Sequence, residues 1–116
     1  MPTYLSKCPQ LIIPNGGTES NALEADKVYS DAIGLALYAP ASLTGVVSYT
    51  LEGRSKGSTV WRTIQDGDPI ADLAPPLAGK TRVYYNLVNF DAIRIKVSGP
   101  TGAQEIWDVD KLWSTD

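Results

Sequence analysis

The stretch LYAPASLTG, Leu37 to Gly45, separates two regular patterns of side chains. Before it, AIGLAL alternates large and small apolar residues, and after it VVSYTLEG alternates apolar with polar residues. A period of two is typical of β-strands. Pro40 has no N–H to donate and holds Ala39 extended, so we expect the first strand to end there. Leu43 would then fold back over one end of the structure, with Gly45 permitting the turn into the next strand.

Strand patterns of this kind recur along the chain, separated by clusters of Gly, Pro, Asn and Asp. In the segment after the opening stretch, Val47, Tyr49 and Leu51 are predicted to point inward. The segment 59–64 is predicted to pair back as a hairpin, with Trp61 buried. About eight such segments, without an apolar repeat at helical spacing, predict an all-β antiparallel β-sandwich of the jelly-roll type. We expect an N-terminal arm with a first strand at 1–14, the sandwich at 15–109 and an irregular tail at 110–116.

Composition argues against several classes of function. The net charge is −3, from 13 acidic and 10 basic residues, and the basic residues do not cluster as a nucleic-acid site requires. The first ten residues lack the basic and apolar regions of a secretion signal, and no window is apolar enough to span a membrane.

Cys8 is the only cysteine, so it has no disulfide partner within the chain. With no histidine to activate it, Cys8 is predicted to be a small apolar residue rather than a nucleophile.

The acidic residues offer two candidate sites. Asp66, Asp68 and Asp72 lie in DGDPIAD, where a calcium loop is one interpretation, but the pattern D-x-D-x-D-G is absent and ordinary turn residues are favoured. Asp108 and Asp110 would share one face of a strand, where a solvated edge is the favoured interpretation. Without a G-x-S-x-G motif or a supported carboxylate pair, we predict no catalytic residue, no metal ligand and no cofactor.

The arrangement around the opening stretch resembles a group of small structural proteins of tailed bacteriophages. Members of this group show a Ser-rich entry after a Pro/Gly turn, an apolar strand ending in Ala-Pro-Ala and an apolar plug. An amphipathic strand, a Gly-rich turn, W-x-x-[LI] and a late [FY]-x-x-[LI]-R-[IL] strand follow. In this sequence these are Pro14 to Ser20, Leu37 to Ala41, Leu43, Gly45 to Leu51, Gly53 to Gly57, Trp61 to Ile64 and Phe90 to Ile95.

The resemblance implies a virion component, namely a head-decoration (cement) protein on the outer capsid surface, assembled in the host cytoplasm. Such proteins commonly form homotrimers that bridge subunits of the major capsid protein, and they contain no catalytic residue. The expected partner is therefore the major capsid protein, and no nucleic acid, membrane or small-molecule substrate is expected. A tail or baseplate component is an alternative within the same class.

Residues at the two chain ends are the candidates for partner binding. The N-terminal arm could add a strand to the edge of a neighbouring subunit, and a tryptophan in the polar tail could anchor an interface. The predicted partner-binding residues are Tyr4, Leu5, Leu11, Ile12, Ile13, Tyr84, Leu112 and Trp113. A carbohydrate-binding module is the second hypothesis, since β-sandwiches stack sugars on exposed aromatic rings. Its candidate residues are Trp61, Trp107, Trp113, Tyr84 and Tyr85.

Overall fold

The alternating segments form strands in the computed structural model, which describes residues 3–45 and 48–114. In chain order the strands of these residues are β1 (Thr3–Lys7), β2 (Leu11–Ile13), β3 (Leu23–Glu24), β4 (Gly34–Tyr38), β5 (Tyr49–Arg54), β6 (Arg62–Thr63), β7 (Gln65–Asp66), β8 (Ala71–Asp72), β9 (Thr81–Tyr84), β10 (Ala92–Val97) and β11 (Glu105–Ser114). Single helical turns lie at Ala25–Tyr29 and Leu87–Asn89, and neither is long or apolar enough to cross a membrane. The predicted all-β, sandwich-like fold is confirmed.

The first sheet has the order β1-β11-β4-β9, and all of its pairs are antiparallel. Strand β11 lies at its centre, with β4 on one side and β1 followed by β2 on the other. The prediction of an irregular tail is therefore wrong for residues 110–114, which form the second half of β11. Partners on both sides hold this polar segment extended, and those partners are distant in sequence. Residues 115 and 116 of the predicted tail lie outside the described residues.

The N-terminal segment is part of the same sheet. Strands β1 and β2 pair with the chain's own β11, so the prediction that this arm crosses to a neighbouring subunit is not what the single chain shows. Pairing with β11 buries Leu11 and Ile13, which a free arm would leave in water. Residues 1 and 2 of the predicted arm lie outside the described residues.

The second sheet has the order β3-β10-β5-β6, and β7 and β8 form a separate two-stranded hairpin. The inward prediction for Leu51 is confirmed, since it is fully buried, whereas Tyr49 is half-buried and Val47 lies outside the described residues. Of the segment 59–64, which was predicted to pair back as a hairpin, only the two residues of β6 do so, opposite Glu52 and Gly53 of β5. Trp61 was predicted to be buried, but it is half-exposed and Ile64 takes the buried position.

The opening stretch carries the chain from the first sheet to the second. Strand β4 ends at Tyr38, two residues before Pro40, and Leu43 packs against the core as predicted. Gly45 is needed for a different reason from the predicted one, because its φ is not positive. A Cβ at Gly45 would lie 2.6 Å from both the Tyr49 hydroxyl oxygen and Val97 Cγ1. The glycine therefore permits a close approach between the loop and the second sheet.

The core lies between the two sheets. Its largest fully buried side chain is Trp107 on β11, and most of the rest are aliphatic. Each large apolar side chain that is removed from water contributes about 1.5–3 kcal/mol. Fully buried core residues from both sheets include Leu11, Ile13, Leu35, Leu37, Leu51, Ile93, Ile95 and Trp107.

Candidate functional site

One end of the first sheet brings together four of the eight residues predicted to bind a partner. In the register of β1 and β11, Tyr4 lies opposite Trp113 and Leu5 lies opposite Leu112. Residues directly opposite one another share a face of the sheet, and successive residues of a strand point to opposite faces. The pair Tyr4 and Trp113 therefore lies on one face, and the pair Leu5 and Leu112 lies on the other. The two chain ends, predicted as separate elements, therefore lie side by side at this end of the sheet.

Tyr4 and Trp113 form a stacked aromatic pair at this end. Their ring centroids are 4.8 Å apart and their planes are inclined by 29°. The Trp113 indole N–H donates to Ser6 Oγ at 2.7 Å, which fixes the orientation of the ring. Ile33 lies beside them, since its backbone N–H donates to the Leu112 carbonyl at 2.7 Å. We call Tyr4, Ile33 and Trp113 the aromatic end.

The aromatic end remains accessible although it continues a buried face. Alternation along β11 places Trp113 on the same face as Trp107 and Val109, which lie in the core. Tyr4 is nevertheless 43% exposed and Ile33 45% exposed, so this end of the sheet is incompletely covered. Ile33 alternates with Leu35 and Leu37 in the sequence, but it lies before the start of β4 and is exposed, whereas the two leucines are fully buried.

Three of the predicted residues belong to the core and are not available to a partner, and a fourth, Leu112, is buried outside the core cluster. Leu11 and Ile13 are fully buried against β11, and only Ile12 between them is partly exposed. Tyr84 is also buried, and its hydroxyl donates to the Ala74 carbonyl at 2.6 Å. Burial raises the pKa of Tyr84 to about 12. The exposed member of the Tyr84-Tyr85 pair is Tyr85, because successive residues of a strand point to opposite faces.

An ion pair borders the aromatic end. Lys111 lies between Val109 and Trp113 on β11, and its Nζ donates to the two oxygens of Asp31 at 2.9 and 3.1 Å. This hydrogen bond lowers the pKa of the exposed Asp31 carboxyl. The apolar surface is thus bounded by a fixed pair of opposite charges, as is common at the rim of a protein interface.

The outer face of the first sheet carries a shallow polar cavity. It has a volume of about 290 Å³ and is lined by Lys7, Tyr38, Asp108 and Asp110. The Tyr38 hydroxyl donates to Asp110 Oδ2 at 2.7 Å, and this hydrogen bond raises the pKa of Tyr38. The prediction that Asp108 and Asp110 share one face is consistent with this placement, but the sequence did not indicate that Tyr38 and Lys7 join them.

Several of the other predicted candidates have structural partners. Trp61 lies against two guanidinium groups, with the Cζ atoms of Arg94 and Arg54 at 4.3 and 5.0 Å from its ring centroid. In the DGDPIAD segment, Asp66 accepts from Asn86 at 2.9 Å and Asp72 accepts from Gln65 at 2.9 Å. The hydrogen bond from Asn86 lowers the pKa of Asp66. Within 3–45 and 48–114, no three His, Cys, Asp or Glu side chains are placed to hold a metal ion.

A buried carboxylate that the sequence did not single out connects the opening stretch to β11. Glu105 is 2% exposed, and its Oε2 accepts from the Thr44 N–H at 2.6 Å and the Tyr49 hydroxyl at 2.6 Å. The Thr44 hydroxyl adds a third bond at 2.9 Å. Tyr49 in turn accepts from the Gly45 N–H at 2.8 Å, and burial raises the pKa of Tyr49 to about 12. The sequence does not indicate that Glu105 is buried and hydrogen-bonded, because its partners are about 60 residues away along the chain.

Cys8 is buried beside β11, where its N–H donates to the Val109 carbonyl at 2.9 Å. Burial raises the pKa of its thiol, which disfavours the reactive thiolate. This placement agrees with the predicted structural role of Cys8.

No protein-family model, curated protein or solved structure matches this chain. Function is therefore inferred from the exposed surfaces described above and from the resemblance in the pattern of strands and turns.

Proposed function

We propose that this chain is a non-enzymatic assembly protein that uses the aromatic end to bind another protein subunit. The observation that carries the proposal is the stacked pair of Tyr4 and Trp113, in which Ser6 holds the half-buried Trp113 and Tyr4 is exposed together with Ile33. Aromatic side chains contribute strongly to protein interfaces because they bury a large area at little cost in conformational entropy. The hydrogen bond to Ser6 reduces that cost further, since the indole is already oriented before binding.

The resemblance to small phage proteins gives this proposal its specific form. The partner would be the major capsid protein, and the chain would act as a head-decoration protein that bridges capsid subunits on the outside of the virion. Copies that touch several capsid subunits would gain avidity of about 10²–10⁴ from modest single contacts. The number of copies that assemble is a separate question.

The proposal is tested by mixing purified protein with empty heads of the phage that encodes it. We expect saturable binding, and we expect Trp113→Ala to weaken it by about 30-fold, the equivalent of a 2 kcal/mol contact. Trp61→Ala is the matched control, because Trp61 is also a half-exposed tryptophan but lies on the second sheet. Equal binding by both variants, with circular dichroism showing both folded, would rule out the aromatic end as the contact.

A tail or baseplate role is distinguished by the location of the chain in the particle. Separated heads and tails are analysed by mass spectrometry, and the proposal requires the chain in the head fraction. Its presence in purified tails alone would exclude decoration while leaving an assembly role at the aromatic end intact.

A carbohydrate-binding module is the second candidate, and the polar cavity on the outer face of the first sheet favours it. Tyr38 offers a ring beside two carboxylates, which are suitable acceptors for sugar hydroxyl groups. Titration with a glycan panel should then give binding that Asp110→Asn weakens and that Trp113→Ala leaves unchanged. If no glycan binds at millimolar concentration, this candidate is excluded.

A further inference from the structure

Strand β1 has one edge without a partner among the described strands. It pairs with β11 on one side, in the register that places Tyr4 opposite Trp113. The Cys8 N–H donates to the Val109 carbonyl in the same register, so the backbone groups of residues 8, 6 and 4 point toward β11. The N–H and C=O groups of Thr3, Leu5 and Lys7 consequently point away from the sheet.

The open edge is complementary to itself. If two copies of β1 run antiparallel with Leu5 at the centre, Leu5 lies opposite Leu5 and Thr3 lies opposite Lys7. All of these residues have outward-pointing backbone groups, so they form three hydrogen-bonded pairs, which together allow up to six backbone hydrogen bonds. The two lysines lie at opposite ends of the paired strands. A parallel arrangement would instead place Lys7 beside Lys7, which like charges disfavour.

Side chains on the outer face support the same pairing. Leu5, Leu112 and Gly34 lie opposite one another on adjacent strands and form an apolar row that runs to the edge of the sheet. Leu5, the last residue of this row, is 60% exposed. In an antiparallel pair the row continues directly into Leu5 and Leu112 of the second copy, and Leu5 becomes covered on its open side.

We propose that the open edge of β1 pairs with the same edge of a second copy of this chain. The two first sheets then form one continuous antiparallel sheet around a two-fold axis at Leu5. This inference goes beyond the proposed function, and it stands whether or not the chain binds a capsid. It replaces the homotrimer that the resemblance implies with a dimer, because one edge paired with itself is closed after two copies.

The other edge of the first sheet is the competing partner. The Ala39 N–H donates to the carbonyl of Lys80, the residue just before β9, so the backbone groups of alternate residues from Lys80 onward point toward β4. Only Thr81 and Val83 of β9 therefore present outward backbone groups. Pairing of β1 with β9 of the next copy would use fewer hydrogen bonds and would build a ring or a filament. Val83 is 41% exposed, which makes it a suitable control position.

The first experiment measures mass in solution by sedimentation equilibrium over a range of concentrations. The wild-type protein should approach twice its 12.5 kDa chain mass, 2 × 12.5 = 25 kDa. Leu5→Lys should reduce the mass to that of one chain, because two lysines would face each other at the axis. Val83→Lys adds the same charge to the other edge and should remain a dimer. A wild-type monomer or trimer, or a Leu5→Lys dimer, would overturn the proposal.

The second experiment tests the two-fold geometry directly. Leu5→Lys and Leu5→Glu should each be monomeric, and an equimolar mixture should form a heterodimer because opposite charges then meet at the axis. Isotope labelling of one variant identifies the heterodimer by native mass spectrometry. Recovery of dimer in the Leu5 mixture is expected only if residue 5 faces residue 5, so a mixture that remains monomeric contradicts the pairing.

Hydrogen exchange on the wild-type protein provides a test that does not depend on folding of a variant. Amide protons of Thr3, Leu5 and Lys7 should become protected as the protein concentration rises. Those of Thr81 and Val83 should not change. Protection of the β9 amides instead would assign the contact to the other edge and exclude the two-fold pairing.

Discussion

Replacement of Glu105 by alanine should loosen the loop that joins the two sheets. The Glu105 carboxylate is buried and accepts hydrogen bonds from Thr44 and Tyr49, which lie at the end of that loop and at the start of β5. In the alanine variant the Thr44 N–H and the Tyr49 hydroxyl lose their acceptor. The Thr44 hydroxyl still has the Ala103 carbonyl at 3.4 Å, so its bond to Glu105 is not counted as lost.

The expected cost follows from those two donors. A hydrogen bond to a charged group contributes about 1.5–3 kcal/mol, and a buried donor without an acceptor costs a similar amount. Using the lower part of that range for Thr44 and Tyr49, Glu105→Ala should reduce the free energy of unfolding by about 3–4 kcal/mol. Glu105→Gln keeps an oxygen for both donors and should cost about 1 kcal/mol.

Urea unfolding followed by tryptophan fluorescence measures these changes. Trp107 is a suitable probe because its ring centroid is 5.8 Å from that of Tyr49 and the side chain is fully buried. A double-mutant cycle with Tyr49→Phe should give a coupling energy of about 1 kcal/mol or more, since the two residues share one hydrogen bond. If Glu105→Ala costs less than about 1 kcal/mol, or if the two substitutions are additive, the carboxylate does not hold the loop.

Two further predictions concern the loop and the core. Gly45→Ala should lower the free energy of unfolding by about 1–3 kcal/mol, because the added methyl group would meet the Tyr49 hydroxyl oxygen at 2.6 Å. Gly102→Ala, whose new Cβ would have no contact closer than 3.7 Å, should be nearly neutral in the same denaturation assay. The raised pKa of Tyr84, about 12 against 10.0, means that its stabilising effect is complete below pH 10.0 and is lost as the pH rises to about 12. That loss is worth about 3 kcal/mol, and a Tyr84→Phe variant should show a smaller fall in stability over this range in pH-dependent urea titrations.

Strands with strict alternation were predictable from the sequence alone. Ile93, Ile95 and Val97 are separated by Arg94 and Lys96, and the buried face of β10 follows from that spacing. The period of two is a local property, because each side chain points to the face opposite its neighbour whatever the strand pairs with.

The candidate site was only partly predictable. Tyr4 and Trp113 were selected because they are aromatic residues near the chain ends, but their stacking depends on a register between residues 109 positions apart, 113 − 4. Ile33 alternates with the buried Leu35 and Leu37, but it is exposed because it precedes the start of β4, which alternation does not reveal. Leu11 and Ile13 were predicted to bind a partner, whereas they are buried because β2 pairs with β11 of the same chain.

The order of the residues therefore determined that the chain forms antiparallel sheets, where several strands lie and which faces of those strands are apolar. Tertiary structure decided which strands became neighbours, and with it whether an apolar residue near a chain end is core or surface. Pairing between distant segments depends on the summed contacts of the whole sheet, and alternation of single residues carries no information about it. For this reason β11 was divided at residue 109 in the prediction, although β1 and β4 hold it as one strand to Ser114.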